Sequence, residues 1–530
     1  MALLDPYAGP WTLDEAAHLG RRAGFGLRPE ELAAMVGAGT PADMIAAVNA
    51  LADYQPADPV LDNQIQNLPS STDNNNIKNP ANISHLQGWW IYRMVHANQP
   101  LQEQFTLFLH DTLVSEQGKV RSGITNDVNA GNDGSDPLNQ RCTTGTLPPD
   151  SGRKNAILVR MMRDQNNLFR AAGHLAYRET LRSVTRDPAM LIYLDNRQNT
   201  KNRPQENYAR EVMELFSMGV GNYSEDDVRQ AAKAFTGETV NSSCPLDWPY
   251  TYLWNAVSHD TGPKTVFGDT FNLPAAGADA DHLIDLILAK VSVEPPHPTL
   301  TAASIFLSWK IINWFVHESI PKTHDAVYEL ADFMMNHSGT HGYNYDYREC
   351  IRKLLQSTFF YDSTYRYAMY KHPADYLVMA LRNLEVDDNF YTSTNENNPG
   401  AAGSIARMGM TLFEPPNVAG WVHGPAWINS GNLIARFNYG NRISKSAILT
   451  DAYCDGLLGS EVANEQDHAG LIEFFRARLI QTALRPEEVI VLTDFLNSIE
   501  GSAGSTASRY RRKVRGLAHL FMTLPRYQMK

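Results

Sequence analysis

The chain of 530 residues (59.2 kDa) exceeds the size at which one hydrophobic core usually stops growing, so one elaborate domain or two closely packed ones is expected. With 58 acidic against 46 basic residues the formal net charge is −12, which disfavours a nucleic-acid backbone or an anionic lipid surface as main partner. Hydrophobic residues make up 43% and charged residues 20%, ordinary for a soluble globular protein, and no apolar run is long enough to span a bilayer.

Helical periodicity dominates from the start. "TLDEAAHLGRRAG" opens with Thr12 as N-cap and Glu15 three residues on, a reciprocal capping pattern, and stops at Gly24. "RPEELAAMVGAG" and "TPADMIAAVNAL" each carry a proline at the helix start, so three short helices open the chain. Residues 54–83, with the run "SSTDNNNIKNPAN", read as a long polar surface loop. Helices resume at "SHLQGWWIYRMVHA" and "PLQEQFTLFLHDTLV", followed by a second loop over about 117–152. From Asn155 the text is mostly helix, with a turn at Asp187-Pro188 and a helix N-capped by Ser224. Residues 238–273 break the pattern, and "TYLWNAVSHDTGPKTVFG" predicts one β-hairpin near 250–270. "EPPHPTL" (294–300) marks a subdomain boundary within what is otherwise read as one domain over 1–530, and further helices run from "TAASIFLSWKIINWFVHESI" to Phe360, with four more after it. The fold class is all-α: a large multi-helix domain with long loops and one small hairpin.

Cys142, Cys244, Cys350 and Cys454 lie far apart, without the short spacings of a thiolate zinc site. Cys142 and Cys244 fall in polar stretches where a disulfide would form only in an oxidising compartment, and their bridging is left open; "YRECIRKLL" puts Cys350 on an amphipathic helix as a buried thiol. Residues 1–26 hold no basic stretch followed by an apolar core, so the cytoplasm is the expected location; N-terminal trimming would leave a periplasmic or secreted placement open. The basic run "RYRRKVR" near the C-terminus has helical spacing and reads as a solvated helix face.

Phosphate loop, nucleophile elbow, HExxH helix and dinucleotide-binding signatures are all missing from the text. What remains is a scatter of histidines and carboxylates. In "RPQENYAREVMELFSMGV", Glu206, Arg210, Glu211 and Glu214 share one helical arc, and Arg210 stands four residues from both Glu206 and Glu214. Two ordinary ion pairs would satisfy that face; a functional face is the alternative. His110-Asp111 ends an apolar helix, where a lone histidine is more often core than ligand. His259-Asp260 precedes a Gly-Pro turn, where an Asp bonded to its own backbone is the plain reading. Together these segments supply the nitrogen and oxygen donors of a zinc, iron or manganese site. The loop "LFEPPNVAGWVHGPAWINSGN" offers Trp421, His423, Trp427 and Asn429 as pocket residues, or as a packed structural corner.

The segments "HLGRRAGFG", "FTLFLHDTL", "RDPAMLIYLDNRQN", "RPQENYAREVMELFSMGVGNYSEDDVRQAAKAFTG", "HDTGPKTVFG", "YKHPADYLV" and "LFEPPNVAGWVHGPAWIN" together resemble, in order and over nearly the whole chain, the bacterial family called domain of unknown function 1800. The resemblance implies a mostly helical fold of this length and brings no assigned mechanism. Members often carry export signals and are often encoded beside a sulfatase-like family. Glu206, Arg210, Glu211 and Glu214 match the family pattern "ENYARELLELHTLG", whereas Phe216 stands where many relatives have His; His110, His259 and Asp260 also match motif positions. Recurrence of the charged arc within a family pattern sets a functional or buried-network role level with the solvated-face reading.

The expectation is a metal-dependent enzyme with His110, Glu211, Glu214 and His259 as ligands of Fe, Mn, Cu or Zn, performing oxidative or hydrolytic chemistry. Catalytic roles fall to Glu206, to Arg210 as partner of a carboxylate or anionic substrate, and to Asp260 as the group orienting an imidazole. The substrate would be a small molecule or a glycan, with Trp421, His423, Trp427 and Asn429 receiving it. The alternatives are a metal-independent carboxylate pair acting on a glycan and a non-enzymatic envelope scaffold.

Overall fold

The computed structural model describes residues 2–129, 150–241, 250–273, 275–337, 344–387, 391–392 and 399–530. About 60% is helical, in 24 helices, with three two-stranded ribbons among the described residues, so the all-α class is correct. Cys142 and Cys244 lie outside the described residues, whereas Cys350 and Cys454 are buried free thiols. Among the described residues no helix is long and apolar enough to cross a membrane.

Two helices form the centre, Pro100–Thr112 and Pro373–Leu384, and every residue of both is buried. Their sequences carry apolar groups on all sides, the pattern of an interior helix, and their polar side chains find partners inside. Gln104 donates to Asp375 Oδ1 at 2.7 Å and joins the two helices directly. Around them one contiguous cluster of buried apolar side chains extends from Leu4 to Tyr527. Residues 294–300, where a subdomain boundary was expected, make the turn and most of the second strand of a ribbon, Val291–Val293 with Pro296–Thr301.

Local capping signals are met at the start of the chain. Glu15 Oε2 accepts the Thr12 N–H at 3.0 Å, completing the box that opens Leu13–Ala23, and Pro29 and Pro41 begin the next two helices. The polar stretch 54–83 is not one loop. It forms the helices Pro59–Gln66 and Thr72–Lys78, capped by Asp58 and Ser71, because Leu61, Ile65 and Ile77 supply an apolar stripe that the core buries. The segment after 117 likewise begins as a helix, Gln117–Asn129, anchored by buried Val120 and Ile124. Seven helices rather than four follow Phe360 among the described residues.

The single expected hairpin is in fact two ribbons, Glu238–Asn241 with Thr251–Trp254 and Lys264–Val266 with Asp269–Phe271, besides the third at 291–301. Strands of three to six residues carry too little alternation to be read from spacing alone. The "RYRRKVR" face is not simply solvated either: Arg511 and Arg515 bond Asp451 at 2.6 Å each, and Lys513 is buried against Glu500.

Candidate functional site

The Glu206–Glu211 helix passes directly into a π-helical turn, Val212–Ser217. Arg210 grips both oxygens of Glu225 at 2.8 Å and reaches Glu206 at 3.3 Å; the bond to Glu225 raises its pKa further. The expected second pair, Arg210 with Glu214, does not form. The wider turn, closed by Met218 N–H to Met213 O at 2.9 Å, carries Glu214 off the Arg210 face, and Glu214 accepts from Tyr223 Oη at 2.8 Å instead. Glu211 stays half-buried, where burial and then the Glu214 charge push its carboxyl up.

His110 is a core residue. Its ring packs against Trp90, Phe169 and Phe413 at 4.6, 4.7 and 5.3 Å between centroids, and burial pulls its pKa down to about 3. Arg170 takes Asn166 Oδ1 at 2.7 Å, which turns the Asn166 amide towards His110 Nε2 at 3.1 Å and leaves the imidazole proton on Nδ1. His259 is occupied at both nitrogens, Nδ1 by the Thr236 carbonyl at 2.7 Å and Nε2 by Asp279 at 3.1 Å; Lys264 Nζ shares Asp279 at 2.5 Å. Asp260 Oδ1 accepts the Gly262 N–H at 2.8 Å, a turn bonded to its own backbone. Glu211 and Glu214 are neighbours, but His110 and His259 each sit in surroundings of their own, so the four expected ligands His110, Glu211, Glu214 and His259 do not gather around a shared ion. Among the described residues no three His, Cys, Asp or Glu side chains are placed to hold a metal.

What the fold does bring together is the end of the Pro100–Thr112 helix, the π-helical turn, the Ala302–Phe315 helix and the 417–427 loop. They enclose a cavity of about 370 Å3 whose polar lining includes Asp111, Glu214, Lys310, Glu318, Lys322 and His423, against an apolar wall of Phe306, Trp309 and Trp314. A smaller chamber of about 20 Å3 shares Asp111, Trp314, Glu318 and His423 and adds His372, Trp421 and Trp427. Trp421 and Trp427 are each 4% exposed, so they build the chamber wall and offer no open stacking face; Asn429 caps the next helix through Asn432 N–H at 2.9 Å.

Asp111 fixes the loop by two contacts from one carboxylate. Oδ1 accepts the Trp421 N–H at 2.7 Å and Oδ2 faces His423 Nε2 at 3.2 Å. The carboxylate is buried at 4% while the imidazole is 49% exposed at the cavity wall. Partial burial pulls the His423 pKa down, but the Asp111 charge and hydrogen bond outweigh that pull and leave it above its ordinary value. Asp111→Asn retains an acceptor for Trp421 but removes the charge, so the His423 titration midpoint, read by NMR of its ring protons, is expected to fall; an unchanged midpoint would disprove the pairing. The sign for stability follows: with a raised folded-state value, the pair stabilises the fold below about 6.5 and its contribution is lost as pH rises through the folded pKa.

Lys310, Glu318, Lys322, Trp309 and Trp314 were not singled out from the sequence. One signal was available: Lys310 is the sole charged residue in "AASIFLSWKIINWF". No curated protein and no solved structure matches this chain. A family model described as "Protein of unknown function (DUF1800)" matches residues 18–129 and 151–529, which include the helix ends, π-helical turn and loop around the cavity. The chain belongs to the DUF1800 family.

Proposed function

We propose that this cavity is the active site of an enzyme acting on a small organic molecule, with His423 as the acid–base group and Asp111 holding its orientation and charge. The supporting observation is the pair itself, a buried carboxylate behind a half-exposed imidazole at the wall of a cavity. Nε2 faces Asp111, so Nδ1 is the nitrogen that exchanges a proton with the ligand, and Asp111 stabilises the imidazolium formed when Nδ1 accepts one. The apolar wall of Phe306, Trp309 and Trp314 lowers the local dielectric beside the pair and strengthens these electrostatic terms. A volume of about 370 Å3 falls at the small end of ligand sites and favours a compact substrate over a polymer segment.

The test needs no prior substrate. Purified protein is incubated with a small-molecule extract and followed by mass spectrometry, beside His423→Gln and Asp111→Asn. At least one compound is expected to be consumed, about 100- to 10,000-fold more slowly by His423→Gln. Consumption equal in all three proteins, or none, would overturn the reading in favour of a binding or scaffold role.

A further inference from the structure

We infer that Lys310 and Lys322 form an anion subsite in this cavity, which receives the oxyanion end of a small ligand whose apolar body lies against Trp309 and Trp314. The inference rests on the reading of the cavity as a ligand site and adds the chemical class of what enters it. Lys310 Nζ and Lys322 Nζ lie 5.6 and 5.0 Å from the centre of the same Phe306 ring, and Lys322 is also 5.1 Å from Trp309. Among the described residues neither ammonium has an ion-pair partner. Burial lowers both amines, and the Lys310 charge lowers Lys322 further; the Asp111 charge acts on Lys310 and the Glu294 charge on Lys322 in the opposite sense without offsetting this, so two like charges share an aromatic floor with no carboxylate in ion-pair contact.

The fully buried lysines among the described residues are treated differently from this half-buried pair. Lys264 meets Asp279 at 2.5 Å, Lys513 meets Glu500 and Lys530 meets Asp375. Lys371 is the exception, closed in against the Tyr527 ring at 3.9 Å. The Lys310–Lys322 pair places two ammoniums without carboxylate ion-pair partners on the wall of one ligand-sized cavity. An aromatic face is a weaker partner for an ammonium than an oxyanion, so a carboxylate, sulfate or phosphoryl group between the two relieves their repulsion. Elsewhere on the wall, Glu318 Oε2 is buried without a donor and repels an anion, which fixes the ligand's direction: acidic group at the lysines, hydrogen-bond donor at Glu318.

The probe is pyridoxal 5′-phosphate, an aldehyde that carries its own oxyanion. A neutral lysine Nζ attacks the aldehyde carbon, the carbonyl oxygen departs as water, and borohydride supplied afterwards delivers hydride to the C=N bond to leave a stable secondary amine. Peptide mapping at neutral pH is expected to find Lys310 or Lys322 labelled at least about 10-fold faster than exposed Lys119 and Lys201. Inorganic phosphate is expected to protect the pair, pyridoxal without phosphate to lose the preference, and Lys322→Met to remove it at Lys310. Labelling no faster than at exposed lysines, or indifferent to the phosphate, would overturn the subsite. His423→Gln is expected to label as the wild type does. His423-dependent turnover without selective labelling would sink the subsite alone, and selective labelling without turnover would sink only the acid–base assignment.

Discussion

Glu103→Leu is expected to lower stability by about 3–5 kcal/mol, measured as the shift of a urea unfolding transition. Glu103 is 1% exposed on the central Pro100–Thr112 helix and accepts from Arg170 Nε at 2.7 Å, Arg170 Nη2 at 2.9 Å and Trp90 Nε1 at 3.0 Å, with Arg93 Nε at 3.6 Å. Leucine fills the same space but strands the buried Arg170 guanidinium, while Arg93 keeps Asp62, and an uncompensated buried charge costs more than a well-made pair contributes. Glu473→Gln, at the exposed pair with Arg476, is the contrast and is expected to move the transition little. Burial alone would raise the Glu103 carboxyl, but Arg170, Arg93 and Trp90 hold it below its ordinary value. Its contribution is therefore complete above about 4.3 and is lost as pH falls through the folded pKa, so the penalty of Glu103→Leu should shrink in acid. A penalty below about 1 kcal/mol at neutral pH would show that the network is not satisfied as described. Arg170 also orients Asn166 against His110, so this network reaches the residue preceding Asp111.

The helices were legible because their signals are local: Thr12 with Glu15, Pro29, Pro41 and Ser224 each mark an end within four residues. The polar helices at 59–66 and 72–78 were not, because their stability comes from burying Leu61, Ile65 and Ile77 on a partner that spacing does not reveal. The charged arc of 206–214 was read with one period throughout, which held for Glu206 and Arg210 and failed at Glu214, where the π-helical turn begins. His423 and the two tryptophans of its loop were legible as a rigid turn-rich cluster. Their partner Asp111, some 310 residues away in sequence, was visible only as the neighbour of His110. Successive residues on a helix point about 100° apart, so the two neighbours part company: His110 faces Trp90 and Phe413 in the core, and Asp111 faces the cavity.

Gly420→Ala is expected to detach the 417–427 loop from the central helix and to abolish whatever chemistry depends on His423. Gly420 has φ +99°, and an added Cβ would stand 2.4 Å from Asp111 Oδ1 and 2.5 Å from the Asp111 carbonyl oxygen. Neither atom can retreat, because the carbonyl belongs to a fully buried helix and the carboxylate is engaged by Trp421 N–H and His423. Strain at such a φ costs of order 1–3 kcal/mol by itself, and the contact adds to it. Gly268→Ala separates the two terms: its φ is +87°, yet nothing lies within 4 Å of the added Cβ, so only the backbone strain remains. Thermal unfolding should place Gly420→Ala below Gly268→Ala. In Gly420→Ala alone the NMR titration of His423 should fall back towards about 6.5, because the imidazole moves away from Asp111. Equal unfolding temperatures and an unmoved His423 midpoint would mean that the loop does not rest on Asp111, and the acid–base assignment would fall with it.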